Sequence, residues 1–194
     1  MDVRPVVLEG KTVRVEPLTW EHSEGLWRVA EPAVFRVTPG PMGEWNRENW
    51  DAFMEKTLRM EGRIPFAVVL KESGQPVGST SYFDIRPPHR GLEIGYTWYG
   101  TAYQGTQVNP ENKYLLLRHA FETLGAIRVQ LKTDKRNLRS QAAIAKLGAK
   151  LEGTLRKHSI MEDGYIRDTV MFSITDEEWP GVKAGLEERL GYVP

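Results

Sequence analysis

One stretch combines a tight turn with a helix start: YQGTQVNPENKYLLLRHAF, from Tyr103 to Phe121. Asn109 is a favoured N-cap residue, and Pro110 suits the first helical position, where its missing N–H costs no intrahelical bond. Gly105 lets the preceding backbone turn tightly or approach a ligand closely. The amides of residues 104–109 would then point out of a helix N-terminus, where a phosphate group binds well. The pattern therefore predicts an anion site.

Two residues of the same stretch favour the alternative, in which water alone solvates the helix cap. Pro110 removes one donor from the row of amides. The Glu111 carboxylate suits the helix dipole, but it would repel a phosphate placed close to it. The stretch by itself leaves both interpretations open.

The composition narrows the class of protein. The 194 residues are 40% apolar and 27% charged, which suits a single domain, residues 1–194, with a sizeable core. A formal net charge of +0 argues against direct nucleic-acid binding, which needs a basic excess. The absence of cysteine excludes disulfides, thiolate zinc sites and a cysteine nucleophile. No apolar run is long enough to span a membrane and no signal-peptide core is present, so a cytoplasmic location is expected.

Alternating and helical patterns predict a mixed α/β (α+β) fold. The order is strand, two helices, three antiparallel strands, helix, strand, helix, two strands, helix. Turn chemistry predicts hairpins through residues 72–75 and through Asp163-Gly164. Asn46 is expected to cap the second helix, and Asn137 to begin the helix that Gly148 ends. The strand–helix–strand passage in the centre is typical of a βαβ unit.

Four segments, in this order, resemble the GNAT N-acetyltransferases, and within them the RimJ/RimL-type ribosomal-protein and amino-group acetyltransferases. They are GLEIGYTWY, YQGTQVNPENK, DKRNLRSQAAIAKLGAKLEG and MEDGYIRDTVMFSI. The most specific pieces are Asn137 with Ser140, the Lys146-Leu147-Gly148 helix exit, and Asp163-Gly164 with Arg167-Asp168. Each piece is short, but their order and spacing extend the resemblance over nearly the whole chain.

The resemblance implies a mostly antiparallel sheet whose fourth and fifth strands splay apart to admit the pantetheine arm of acetyl-CoA. The loop after the fourth strand would hold the pyrophosphate. This loop departs from the wider family pattern, because Gln107 and Asn109 stand where glycine or alanine is usual. The implied CoA contacts are Tyr96, Thr97, Trp98, Gln104, Gly105, Thr106, Gln107, Val108, Asn109, Asn137 and Ser140.

Acetyl transfer to an amine needs a neutral amine, a polarised thioester carbonyl and a proton for the departing thiolate. The resemblance implies that a backbone amide near Tyr96 or Thr97 polarises the carbonyl. Glu93 is the first candidate for the general base, because desolvation among apolar strand residues would raise its pKa. The alternative is an exposed carboxylate on the polar face, where alternation places Glu93 and Gly95 on one side and Ile94 and Tyr96 on the other.

The general acid is less well specified. Many relatives carry a tyrosine at the position of Ile144, which cannot donate a proton. Ser140 is the polar candidate, although its alternative role is to help Asn137 cap the helix. Arg136 and Arg139 are candidates for the 3′-phosphate of CoA or for solvent, with solvent favoured.

The acceptor site is expected on the other side of the splay. Its candidate lining residues are Phe35, Trp45, Trp50, Tyr82 and Tyr165, with core packing as the alternative for each. The four histidines have no metal-ligand spacing, so no metal is expected, and His119 is predicted to be partly exposed in its helix. Members of the family often pair, so a homodimer is one assembly that the resemblance allows.

The leading hypothesis is an acetyl-CoA-dependent N-acetyltransferase that acts on a primary amine of a protein N-terminus or of a small molecule. The alternative is a non-catalytic acyl-CoA-binding sensor or interaction module with the same fold. Gln107 and Ile144, which depart from the family pattern, favour that alternative. The nature of the acceptor stays open at this point.

Overall fold

The structure, a computed structural model, describes residues 1–36 and 38–192. Eight strands form one sheet in the spatial order β1-β2-β3-β4-β5-β6-β8-β7. The strands are β1 Leu8–Glu9, β2 Val13–Pro17, β3 Ile64–Leu70, β4 Pro76–Arg86, β5 Gly91–Tyr99, β6 Arg128–Asp134, β7 Lys150–Ile160 and β8 Ile166–Thr175. The helices are α1 Ser23–Val29, α2 Arg47–Arg59, α3 Val108–Arg118, α4 Leu138–Ala145 and α5 Trp179–Leu190. This confirms the predicted mixed α/β class.

Most neighbouring strands are antiparallel, and the β5–β6 pair is parallel because α3 connects them as a crossover. Both predicted hairpins are present, β3–β4 and β7–β8, and Gly164 in the second turn has φ +82°. The short β1 was not predicted, so the predicted fourth and fifth strands are β5 and β6. None of the helices described in residues 1–36 and 38–192 is long and apolar enough to cross a membrane.

The strands alternate between two hydrophobic cores, one on each face of the sheet. In β3, Phe66 and Val68 point to a larger core under α3 and α5, while Ala67 and Val69 point to a smaller core under α1 and α2. Such alternation follows from the two-residue period of a strand. The central strands of the sheet are therefore covered on both faces, and a gap between two of them gives a ligand access to the interior.

The strands β5 and β6 part after three paired residues. Their register runs from Gly91 opposite Arg128 to Glu93 opposite Gln130. Within the described part of the chain no further pair joins them, although β5 continues to Tyr99. The splay implied by the resemblance is thus present, and Glu93 lies at its apex.

The start of α3 differs from the prediction. The helix begins at Val108 and its N-cap is Gln107, two residues before the predicted cap Asn109. The Asn109 side chain is engaged elsewhere, since its Oδ1 accepts a hydrogen bond of 3.1 Å from the Tyr99 hydroxyl. The other two predicted caps are confirmed: Asn46 Oδ1 accepts from Asn49 N at 2.9 Å, and Asn137 Oδ1 accepts from Ser140 N at 3.0 Å.

Candidate active site

A cavity of about 1210 Å³ lies at the splay and is lined by residues from both faces of the sheet. Its wall on the α3 side includes Thr97, Asn109 and Lys113, and its wall on the α2 side includes Phe53 and Arg63. Most of the predicted site residues lie in this wall. They are Glu93, Tyr96, Thr97, Trp98, Gln104, Gly105, Thr106, Asn109, Asn137 and Ser140.

Two predicted CoA contacts lie outside the cavity wall. The Val108 side chain is buried in the larger core. Gln107 instead donates from Nε2 to the carbonyl oxygen of Arg189 at 3.3 Å. Of the predicted acceptor-site residues, Phe35 and Tyr165 line the cavity, whereas Trp50 and Tyr82 are fully buried core residues and Trp45 stacks on Trp27.

A β-bulge at Tyr96 changes the direction of the side chains along β5. Ser79 pairs with Trp98 and Ser81 with Gly95, so Thr80 alone faces both Tyr96 and Thr97. Tyr96 has φ +50°, a left-handed conformation that is rare for a residue with a side chain. The bulge interrupts the regular β4–β5 pairing at the edge of the splay.

The predicted alternation is therefore wrong for Tyr96. Its ring packs against Phe83, with 4.8 Å between ring centroids, and Phe83 pairs directly with Glu93. Tyr96 thus lies on the same face as Glu93 rather than opposite to it. The extra residue of the bulge shifts the two-residue period by one position.

Glu93 is a buried carboxylate at the apex of the splay. Its side chain is 0% exposed, so the alternative of a solvated strand carboxylate is excluded. Its Oε2 accepts from Gln130 Nε2 at 2.9 Å and lies 3.1 Å from Lys132 Nζ. Its Oε1 is buried and has no hydrogen-bond partner among the described residues. Burial raises the pKa of Glu93, and the Lys132 charge and the Gln130 hydrogen bond offset part of that rise.

The helix α4 contributes Ser140 and Ile144 to the same cavity wall. The Ser140 amide donates to the Asn137 side chain, so the helix-cap role of this pair is present. Ile144 is buried, as expected for an apolar residue at this position. Arg136 is held by Asp134 at 3.0 Å and lies over the Tyr165 ring, whereas Arg139 is exposed and contacts the Gln104 side chain.

The loop between β5 and α3 is organised by its own side chains. Gly105 has φ +80° and turns the chain, Gln104 Nε2 donates to the Tyr99 carbonyl at 2.9 Å, and Thr106 Oγ1 donates to the Tyr103 carbonyl at 2.7 Å. The first amides of α3 have no intrahelical acceptor, as at any helix N-terminus. The Glu111 carboxylate points away from this loop into the β1–β2 turn, so it does not repel an anion there as the sequence suggested.

Lys113 and Arg63 line the cavity and were missed in the sequence. Lys113 is only 5% exposed, and its Nζ donates to Thr97 Oγ1 at 2.6 Å. Arg63 precedes β3 and donates from Nε to Ser81 Oγ at 2.7 Å. Neither has a local sequence signal, because a single Lys or Arg outside any motif is most often solvated.

His119 lies in a π-helical turn, His119–Thr123, at the end of α3. Its side chain is half-buried, which confirms the predicted partial exposure. Burial lowers its pKa, and the neighbouring Arg118 charge adds to that effect. Its ring lies 6.4 Å from the Tyr82 ring, outside the cavity wall.

The parallel splayed pair, the bulge beside it and the helix that starts at the mouth of the gap together define the GNAT acetyltransferase fold. A family model described as an acetyltransferase (GNAT) domain matches residues 12–150. The chain therefore belongs to the GNAT acetyltransferases and is an acetyl-CoA-dependent N-acetyltransferase.

Three relatives place the chain within the family. A crystal structure from T. thermophilus, named as an acetyltransferase, is 43% identical, with 98% of this chain and 100% of that chain covered and a TM-score of 0.91. YdaF of Bacillus subtilis (strain 168), named as a ribosomal N-acetyltransferase, is 29% identical over 57% of this chain and 59% of its own length. Mycobacterium smegmatis RimJ in complex with CoA-disulfide shares the fold, with 21% identity, a TM-score of 0.75, and 92% of this chain and 89% of that chain covered. The RimJ/RimL-type resemblance is thereby confirmed.

Proposed function

We propose that this chain transfers the acetyl group of acetyl-CoA to a primary amine, of a protein N-terminus or of a small molecule, by direct attack of the amine on the thioester. The observation that carries the proposal is the Glu93 carboxylate. It lies buried at the apex of the splay, with one oxygen unpartnered among the described residues and its pKa raised. Such a group is suited to accept a proton from an attacking amine.

The remaining roles are assigned to residues that line this cavity or lie next to it. Acetyl-CoA supplies the activated acetyl group. The bulge takes Tyr96 and Thr97 out of the regular β4–β5 register, which supports a role for one of their backbone amides in polarising a carbonyl in the gap. The amides of residues 104–109 and the Asn137 side chain are assigned to CoA. Ser140 is assigned as the proton donor to the departing thiolate.

The proposal extends to the organisation of the chain, which we take to be one acetyltransferase domain over residues 1–194. Both hydrophobic cores pack on the same sheet, and they include residues from Leu8 to Leu186. A division into two domains would instead give two cores on separate sheets.

The decisive experiment follows release of the CoA thiol from acetyl-CoA over a panel of peptides and small primary amines, together with native mass spectrometry of the complex. At least one amine should be acetylated, and Glu93→Gln should lower kcat/KM by about 100- to 10,000-fold with acetyl-CoA binding retained. Glu24→Gln, an exposed carboxylate on α1, is the matched control and should leave turnover unchanged.

Two outcomes would contradict the proposal. If acetyl-CoA binds but no amine is acetylated, the chain is the non-catalytic module. If turnover proceeds equally well in Glu93→Gln, the amine loses its proton to another group or to water, and the base is wrongly assigned.

A further inference from the structure

Arg63 is a cation at the cavity wall that the acetyl-transfer chemistry does not use. Its guanidinium carbon lies 4.0 Å from the centroid of the Tyr96 ring, and Nε is held by Ser81. Burial lowers the pKa of Arg63 to about 10. No carboxylate of the described residues lies within 4.0 Å of it, in contrast to Lys132, which pairs with Glu93, and Arg136, which pairs with Asp134.

Arg63 is half-buried. A guanidinium that is partly removed from water without a counter-ion is energetically unfavourable, and a bound anion relieves that cost. The Nε–H is already used by Ser81, and the remaining N–H groups form the end of a rigid fork. That fork matches the two oxygens of a carboxylate, which it binds through parallel hydrogen bonds.

The position of Arg63 assigns this anion to the acceptor rather than to acetyl-CoA. Arg63 packs on Tyr96 on the Glu93 face of the sheet, whereas the residue 104–109 loop lies at the start of α3 on the other face. Arg63 contacts Tyr96, Tyr96 contacts Phe83, and Phe83 pairs with Glu93, so two aromatic residues connect Arg63 to the position of Glu93. An acceptor that reaches both groups must therefore carry its anion several bonds from its amine.

We propose that Arg63 selects acceptors that carry a carboxylate, by binding that carboxylate while the amine lies at Glu93. This inference rests on the proposed function, and it adds the chemical class of the acceptor. The carboxylate could belong to a free amino acid or to an acidic residue near a peptide N-terminus, and both sources present the same group to Arg63.

The test compares acceptors in pairs that differ only in a carboxylate against its carboxamide. One arm uses ω-amino acids of increasing chain length and their amides; the other uses short peptides with Glu or Gln near a free N-terminus. Wild type should prefer the carboxylate member by about 10- to 100-fold in kcat/KM. The arm with the larger preference identifies the source of the carboxylate.

Arg63→Met keeps the aliphatic stem over Tyr96 and removes the charge. It should abolish the preference, chiefly through KM for the carboxylate member, and acetyl-CoA should still bind. Arg63→Lys keeps the charge but loses the fork, so it should retain part of the preference. Arg59→Met, an exposed arginine on α2 paired with Glu55, is the matched control and should behave as wild type.

A second readout does not depend on turnover. The N-acetylated products of the same pairs are titrated, with CoA present, into wild type and Arg63→Met. The acidic product should bind wild type more tightly than its amide, and Arg63→Met should bind both equally. Equal binding of the pair to wild type, or equal turnover of every pair, would overturn the inference while leaving amine acetylation intact. If no amine is acetylated, the proposed function fails and this titration still decides the role of Arg63.

Discussion

Glu93 and Lys113 are ionisable groups held out of water on opposite faces of β5. Glu93 lies among Phe83, Gln130 and Lys132, and Lys113 reaches Thr97 from α3. In each case burial favours the neutral form, so the pKa of the acid rises and the pKa of the base falls. We therefore expect the protonation of Glu93 to change the activity of the protein, and the protonation of Lys113 to change its stability.

The pH dependence of acetyl transfer should follow Glu93. A general base works only when it has lost its proton, so kcat/KM should rise with pH through a midpoint above 4.5, the ordinary value for a glutamate. Lys132→Met removes the nearby charge that lowers the pKa of Glu93, so it should move this midpoint to higher pH. The measurement is a pH profile of kcat/KM with one acceptor. If the midpoint is the same in Lys132→Met as in wild type, the profile does not report the protonation of Glu93.

The stability of the fold should depend on the protonation of Lys113. Burial lowers its pKa from 10.5 to about 7 in the folded chain. Between these values the unfolded chain binds more protons than the folded one, so stability rises with pH across this range and the cost of burying the charge is largest below it. Lys113→Met should therefore raise Tm most near neutral or lower pH, with a gain that shrinks towards about pH 10.

Thermal denaturation of wild type and Lys113→Met across this pH range measures the effect. The lost hydrogen bond to Thr97 can shift the Tm difference at every pH, but only the buried charge makes that difference vary with pH. Lys71→Met, at an exposed lysine next to the β3–β4 turn, is the control. A pH-independent difference for Lys113→Met would show that the lysine binds its proton equally well in the folded and the unfolded chain, and would contradict the prediction.

At the scale of single elements, the loop between β5 and α3 joins a left-handed turn to a helix N-terminus. Gly105 supplies that turn, and a Cβ built there has no atom within 4 Å, so a side chain would project into open space at the cavity wall. Gly105→Val would thus strain the backbone and place a branched side chain where the phosphates of CoA are proposed to bind.

We expect Gly105→Val to weaken CoA binding by more than its effect on folding. Calorimetric titration with CoA and thermal denaturation give the two quantities. Gly74→Val is a matched control, since Gly74 has φ +69°, has no atom within 4 Å of a built Cβ and lies in the β3–β4 turn. Both variants should lose about 1–2 kcal/mol of stability, and only Gly105→Val should lose CoA affinity. Equal CoA affinity in the two variants would place the phosphates elsewhere.

At the scale of the whole molecule, Glu111 ties the first hairpin and the end of the chain to α3. Its carboxylate is 1% exposed and accepts from the amides of Lys11, Thr12 and Val13 at 2.7–2.9 Å and from the Tyr192 hydroxyl at 2.6 Å. These four bonds join α3 to segments far away along the chain in both directions. The sequence suggested that Glu111 would repel an anion, but in the structure its carboxylate joins α3 to the β1–β2 turn and to Tyr192.

Glu111→Gln should destabilise the protein by about 1–3 kcal/mol, because an amide nitrogen would face backbone donors that need an acceptor. Tyr192→Phe removes only one of the four bonds and should cost less. Urea denaturation gives both values, and titration with CoA should show unchanged affinity in both variants. A loss of CoA affinity in stably folded Glu111→Gln would show that Glu111 contributes to the anion site.

Local sequence patterns determined the order of the elements, both hairpins and the caps at Asn46 and Asn137. These features depend on side-chain periodicity and turn chemistry over a few residues, so a single sequence contains them. The boundary at α3 was missed by two residues because the favoured cap Asn109 is occupied by Tyr99, ten positions earlier. A competing contact outside the helix decided that start.

The sequence by itself also determined the family and most of the residues that line the cavity, since the motifs sit on neighbouring elements around the splay. Only the tertiary structure decided which groups lose their water and which face each occupies. The bulge moved Tyr96 to the Glu93 face, and the packing of α3 and β3 placed Lys113 and Arg63 in the cavity wall. Burial and register depend on contacts between residues far apart in the chain, and those contacts are what give Glu93, Lys113 and Arg63 their chemistry.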